Sequence, residues 1–316
     1  MLSRRHFAAL VAAAAFALPS AALPSAALPS AARAADPVPV VATFSVIADI
    51  TRAVGGDRVA IRTLVPANND AHVYQPSPGD AQALAAARLV VTNGLNMEGW
   101  IDRLIKASGY KGEVVVATRG IRTITMEDDD HGHGHGKKAT DPHAWQNALN
   151  GQVYARNIAE GLARIDPEGA TAYRANAEAY AAELQALDGW IKAEVASVPE
   201  GQRKVITSHD AFGYLAAAYG ITILSPQGIS TEAEPSAKDV ARLIRQIRKE
   251  KVRAVFIENM TDPRLIQQIA KETGATVGGT LYSDALSPPG GPADTYVKMF
   301  RYNLPLLVAA MRGGQS

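Results

Sequence analysis

The 316-residue chain contains no cysteine. That excludes disulfides, thiolate metal sites and cysteine nucleophiles, so any bound metal must be held by nitrogen and oxygen. Charge of one sign is also missing: 32 basic residues face 31 acidic ones. No single-sign field exists to draw in nucleic acid or an acidic membrane surface, and neither is expected as a partner. Beyond the first 35 residues no apolar run approaches the roughly 18 residues that a membrane-spanning helix needs. His-Glu-x-x-His, P-loop, nucleophile-elbow and dinucleotide-type glycine patterns are absent as well, which removes the common signatures of hydrolases and nucleotide enzymes.

What is present is a 47% hydrophobic, 20% charged chain that can bury a large core in one big domain or two ordinary ones. Residues 1–35 read as an export signal. Arg4, Arg5 and Phe7 form a twin-arginine-like start, an alanine-rich stretch follows, and Ala32-Arg33-Ala34 supplies a small-x-small cleavage pattern. Its removal takes away Arg4, Arg5 and Arg33 and no acid, turning the formal charge from +1 to −2.

From Val38 onward, short β-type runs alternate with helical ones, as in parallel α/β sheets. Strands are expected at 38–44, 59–64, 88–92 and 113–117, with helices between them. Alanine-rich helical sequence then fills 144–164 and 168–198, and alternation resumes with strands at 204–207, 221–224, 254–257 and 275–281. The second long helix fits an Asp166 N-cap with Pro167 at its first position, and Pro199 stops it. Two α/β lobes therefore flank one long helix, with a crevice between them as the default ligand site. The expected divisions are 36–165 for the first lobe, 166–200 for the linker helix and 201–316 for the second lobe.

Four potential metal ligands fall at ends of these elements: His72, His143, His209 and Asp284. Ligands of open parallel sheets gather outside the carboxyl ends of strands, where His72, His209 and Asp284 are placed. His143 instead precedes a helix. After the signal the chain has six histidines, and the other three, His131, His133 and His135, stand in a glycine-spaced run beside Asp128, Asp129 and Asp130. With no apolar face, 127–140 is expected to be a mobile loop whose imidazoles bind metal weakly. It would gather zinc or receive it from a metallochaperone. A solvated insertion without function is the bland alternative, and for Asp284 it is an ordinary turn cap.

The motifs around these residues resemble those of the metal-binding solute-binding proteins of zinc and manganese ABC importers. That family includes periplasmic zinc-binding proteins and streptococcal lipoprotein adhesins. His72-Val73-Tyr74-Gln75-Pro76-Ser77-Pro78 is similar to its His-x-Tyr-x-Pro-x-Pro segment, and Asp141-Pro142-His143-Ala144-Trp145 to its Asp-Pro-His-x-Trp. His209 to Tyr214 and Tyr282 to Ser287 resemble the third and fourth ligand segments. The resemblance implies two four-stranded lobes bridged by a rigid helix and delivery of the ion to a membrane permease. Two departures stand out: the chain lacks the second-lobe disulfide of many zinc-type members, and it lacks the N-terminal Cys of the lipoprotein members. A free periplasmic monomer is expected.

Three imidazoles and a carboxylate suit tetrahedral Zn2+, whereas manganese prefers more oxygen donors. Manganese-type relatives carry Glu where this chain has His209, so zinc is expected and manganese is the alternative. Asp70, Asp141, Asp210 and Glu258 are the carboxylates placed to orient the ligand imidazoles. A zinc enzyme would keep one coordination position for water, but here protein occupies all four. An adhesin would need an anchor or sticky surface that the sequence does not display.

Overall fold

The computed structural model describes residues 36–128 and 137–313. Residues 36–313 fall within one compact unit. The first sheet is built from β1 (Val38–Phe44), β2 (Val59–Val65), β3 (Leu89–Thr92) and β4 (Glu113–Val116), all parallel, in the order β2-β1-β3-β4. The central strands β1 and β3 are almost wholly buried, as strands covered on both faces must be. Edge strand β2 alternates, with Ala60 and Arg62 exposed and Val59 and Ile61 turned partly inward. Helices α1 (Ser45–Gly55), α2 (Pro78–Ala86) and α3 (Ile101–Ser108) make the connections.

After β4 the chain forms a hairpin, β5 (Thr125–Asp128) against β6 (Lys137–Thr140), in antiparallel register with Thr125 opposite Thr140. Residues 127–128 and 137–140, expected to belong to a mobile loop, are therefore strand, while 129–136 lie outside the described residues. A two-stranded ladder is made of backbone groups and needs no apolar face. Its stem is closed by the Asp141 N–H donating to the Ile124 carbonyl at 2.9 Å.

Helix α4 (Ala148–Ile165) packs along α5 (Ala170–Ala196), whose 27 residues run about 40 Å and link the two lobes. Asp166 does not cap α5. Its carboxylate accepts instead from Arg58, with Nη2 at 2.8 Å, and from the Tyr173 hydroxyl at 2.5 Å. A one-turn 3-10 helix, Pro167–Gly169, intervenes before α5 begins.

The second sheet comprises β7 (Lys204–Ile206), β8 (Thr222–Leu224), β9 (Ala254–Glu258) and β10 (Thr276–Leu281), again parallel, ordered β10-β9-β7-β8. Helices α6 (Gly213–Tyr219), α7 (Ala237–Glu250), α8 (Arg264–Thr273) and α9 (Tyr296–Met311) cover it. One apolar core continues from β1, β3 and α1 through α4 and α5 into α6 and α9. A separate cluster, including Ile206, Leu243, Ile247, Val255 and Ile269, lies under α7 and α8. The lobes thus share buried surface across the linker, which fixes the walls of the crevice. No helix among the described residues is long and apolar enough to cross a membrane.

Candidate metal centre between the lobes

His72 sits in the loop after β2, and its approach is fixed from both sides. Its backbone N–H donates to Asp70 Oδ1 at 2.8 Å, and the Trp100 indole N–H donates to the preceding carbonyl, Ala71, at 2.8 Å. Downstream, Ser77 and Asp80 form a capping box at the start of α2, with Pro78 at the first helical turn. The Asp80 carboxylate also accepts from the Tyr74 hydroxyl at 2.8 Å. The tyrosine and prolines of the motif therefore hold a loop, and the histidine is its product.

Asp141 holds His143: one carboxylate oxygen takes the His143 backbone N–H at 2.9 Å and its Nδ1 at 2.8 Å. Asn93, fully buried at the end of β3, donates to the Pro142 carbonyl at 2.9 Å. His209 follows β7 closely. Glu258, at the end of the neighbouring strand β9, accepts its backbone N–H at 2.9 Å and lies 2.6 Å from its Nδ1. Asp284 follows β10 in a segment tied to both lobes. Asn303 of α9 receives the Tyr282 N–H at 3.0 Å, while Trp145 Nε1 and Gln146 Nε2 each reach the Ser283 carbonyl at 3.0 Å.

The four side chains meet. One donor atom from each of His72, His143, His209 and Asp284 lies within 4.8 Å of the others, and all four residues are buried. His72 Nε2 is 3.2 Å from His143 Nε2 and 3.3 Å from Asp284 Oδ2, and His209 Nε2 is 3.1 Å from Asp284 Oδ2. His143 Nε2 is 3.6 Å from Asp284 Oδ1, a buried oxygen with no hydrogen-bond partner among the described residues. A tetrahedron with metal–donor bonds of 2.0–2.1 Å has edges of about 3.3 Å, so these spacings are those of a shell drawn around one cation. Asp141 and Glu258 stand beside the Nδ1 atoms of His143 and His209, the arrangement in which a carboxylate orients a ligand imidazole and leaves Nε2 for the common centre.

Charge explains the proton affinities. Burial pushes the His143 imidazole down, but the Asp284 and Asp141 carboxylates outweigh it and raise it to about 9. Burial acts against His209 likewise, and Glu258 and Asp284 carry it well above the ordinary histidine value. Desolvation would raise Asp284, yet the His143 and His209 charges hold it well below the carboxylate range. Without a metal, the cage neutralises its carboxylates with protons. A divalent cation does the same work by displacing them.

Three of the four expected orienting carboxylates act at the cage: Asp141 and Glu258 on imidazoles, and Asp70 on the backbone of His72. Asp210 is different. Among the described residues no hydrogen bond or ion pair joins its carboxylate to a cage imidazole, and its backbone N–H goes to the Gly228 carbonyl at 3.2 Å. Burial first, then the Asp141 charge, pushes its carboxyl up to about 6. Trp100, Asn93, Gln146 and Ser283 also build the site and escaped sequence reasoning. His131, His133 and His135 lie outside the described residues.

Two α/β lobes on one spanning helix, closing a buried three-imidazole, one-carboxylate cage, define a bilobed metal-binding protein of the solute-carrier kind. Residues 40–310 match the profile described as zinc-uptake complex component A, periplasmic. The chain belongs to that family, and is thereby a metal-binding substrate-binding protein of an ABC importer with a membrane permease as partner. It is similar to the metal ABC transporter substrate-binding lipoprotein SsaB of Streptococcus sanguinis, at 33% identity over 84% of this chain and 86% of that one. The periplasmic zinc-binding protein TroA of Treponema pallidum superposes with a TM-score of 0.81 at 28% identity, covering 88% of this chain and 99% of that one. A manganese-bound periplasmic metal-binding protein of Candidatus Liberibacter asiaticus superposes with a TM-score of 0.76 at 32% identity, covering 86% and 98%.

These relatives correct the location expected from the sequence. SsaB is named a lipoprotein, as are relatives in Streptococcus mutans and Streptococcus pyogenes. Free residence in the periplasm therefore does not follow from membership of this family.

Proposed function

We propose that the protein captures Zn2+ with His72, His143, His209 and Asp284 and delivers it to the permease. The observation that carries this reading is the set of donor spacings, 3.1–3.6 Å between imidazole nitrogens and carboxylate oxygens, around one buried point. Three nitrogen donors and one carboxylate favour zinc over manganese, which prefers oxygen-rich shells. The loaded cage would carry a local charge of about +1, offset by Asp141 and Glu258 behind the imidazoles. In this reading the carrier is a monomer and takes its ion free or from a metallochaperone.

A manganese reading has one observation in its favour. Both Asp284 oxygens face imidazoles, Oδ2 toward His72 and His209 and Oδ1 toward His143. Two-oxygen binding would give the higher coordination number manganese seeks. Native mass spectrometry of the full chain, with zinc, manganese and copper offered in competition, separates the two. One tightly held zinc that manganese does not displace is the expected result. Preferential loading with manganese would overturn the zinc assignment, and no stoichiometric metal at all would overturn the carrier reading.

A further inference from the structure

The polar ties around the cage are unequal on its two sides. On the His143–Asp284 side the lobes are stapled by interior bonds: Trp145 and Gln146, both fully buried, donate to the Ser283 carbonyl. Nearby, the Leu286 N–H donates to Ser45 Oγ at 2.9 Å, and the Asn68 N–H to the Leu286 carbonyl at 3.1 Å. On the His72–His209 side a strap from the second lobe, residues 227–234, crosses to the first. It is rooted beside His209 by a parallel bridge between His209 and Gln227. Gln227 stiffens it by donating to the Thr231 and Ala233 carbonyls at 3.2 and 3.0 Å. At its far end Thr231 Oγ1 donates to Asp70 Oδ2 at 2.6 Å, while the other oxygen of Asp70 holds the His72 backbone.

Two cavities border the strap. Ile229, Ser230 and Glu232 line a cavity of about 470 Å³ that also touches His72, and Gln227, Thr231 and Glu234 line another of about 410 Å³ that touches Asp70. His72 is the one cage residue with any exposure, 6% against 0% for His143, His209 and Asp284. The weakest wall of the cage is therefore the one that Thr231 ties shut.

We propose that Thr231 is a positioning residue for metal release: its hydroxyl latches the strap to Asp70, keeps the His72 loop against the ion, and sets how fast the ion leaves. The inference rests on the carrier reading above and adds a kinetic role that the donors alone do not supply. A hydrogen bond to a carboxylate at a half-buried position is large enough to change a dissociation rate by about tenfold when deleted.

The test is stopped-flow transfer of Zn2+ from the loaded full-length protein to excess chromophoric chelator, with uptake measured separately. Thr231→Val keeps the shape and removes the hydroxyl. Its release is expected to be about tenfold faster while uptake changes by less than about twofold, because affinity changes of this kind reside in dissociation. Thr231→Ser, which keeps the hydroxyl, is expected to release at the wild-type rate. Wild-type release from Thr231→Val, or release from Thr231→Ser as fast as from Thr231→Val, overturns the latch and leaves the carrier reading intact. A wild-type protein that takes up no zinc removes both.

Discussion

Glu258 shows how much of the site rests on residues outside the four-donor cage. It receives the backbone N–H of His209 and faces its Nδ1, whereas Asp210, next to His209 in the chain, makes no such contact. Asp210 lies in the bend after His209, with its N–H on the Gly228 carbonyl, so the neighbour in sequence is the wrong neighbour in space. We expect Glu258→Gln to weaken zinc binding by about 10–100-fold, the usual cost of losing a carboxylate behind a ligand imidazole. Asp210→Asn should stay within about threefold of wild type by the same reasoning. Competition titration against a chelator measures both, and equal losses would undo the distinction. The four cage residues were legible because each sits in a local motif at a strand or helix end. Trp100, Ser283 and Thr231 were not. Their partners lie 29, 138 and 161 residues away, and a single sequence carries no mark of such pairings.

At the level of elements, the alanine-rich stretch announced the linker helix because a strong helix former recurs throughout it and no proline breaks it. Its first turn was misread. Asp166 is a residue type suited to an N-cap, but its carboxylate is taken by the Arg58 guanidinium and the Tyr173 hydroxyl, and the Pro167–Gly169 turn separates it from α5. The β5–β6 hairpin was missed for a different reason: its ladder is written in backbone groups, and hydrophobic periodicity reports only on side chains that face a core. Packing between α4 and α5 makes a sharper prediction. A Cβ on Gly151 of α4 would lie 2.8 Å from Leu184 Cδ1 of α5 and 2.9 Å from Tyr296 Cε1 of α9. Gly151→Ala improves helix propensity by about 1 kcal/mol, yet overpacking costs about 1–3 kcal/mol. The variant should be destabilised by about 1 kcal/mol in urea denaturation. A stabilised variant would mean that the helices part easily and that the linker is looser than its core indicates.

For the molecule as a whole, the cage couples folding to pH. The His143 pKa is raised from an unfolded value of about 6.5 to about 9, and His209 shifts the same way. A raised pKa contributes stability that is complete below the unfolded value and is lost as pH climbs through the folded one. Metal-free protein should therefore lose thermal stability between about pH 6.5 and 9. Zinc-loaded protein, whose imidazoles are already deprotonated, should not. Calorimetry of both forms across that window is expected to show a widening gap in melting temperature, and a constant gap would separate the cage protons from folding.

The two sheets carry a last consequence. Numbered within its own lobe, each runs second, first, third, fourth strand, so the halves are topological copies. Their contributions to the cage are not. His72 leaves the second strand of its lobe, while His209 leaves the first and Asp284 the fourth of theirs. Two copies of either half would supply each donor twice, four imidazoles from the first or two imidazoles and two carboxylates from the second, and neither is the set found here. The odd set of three imidazoles and one carboxylate therefore depends on what differs between the two halves, despite their common strand order.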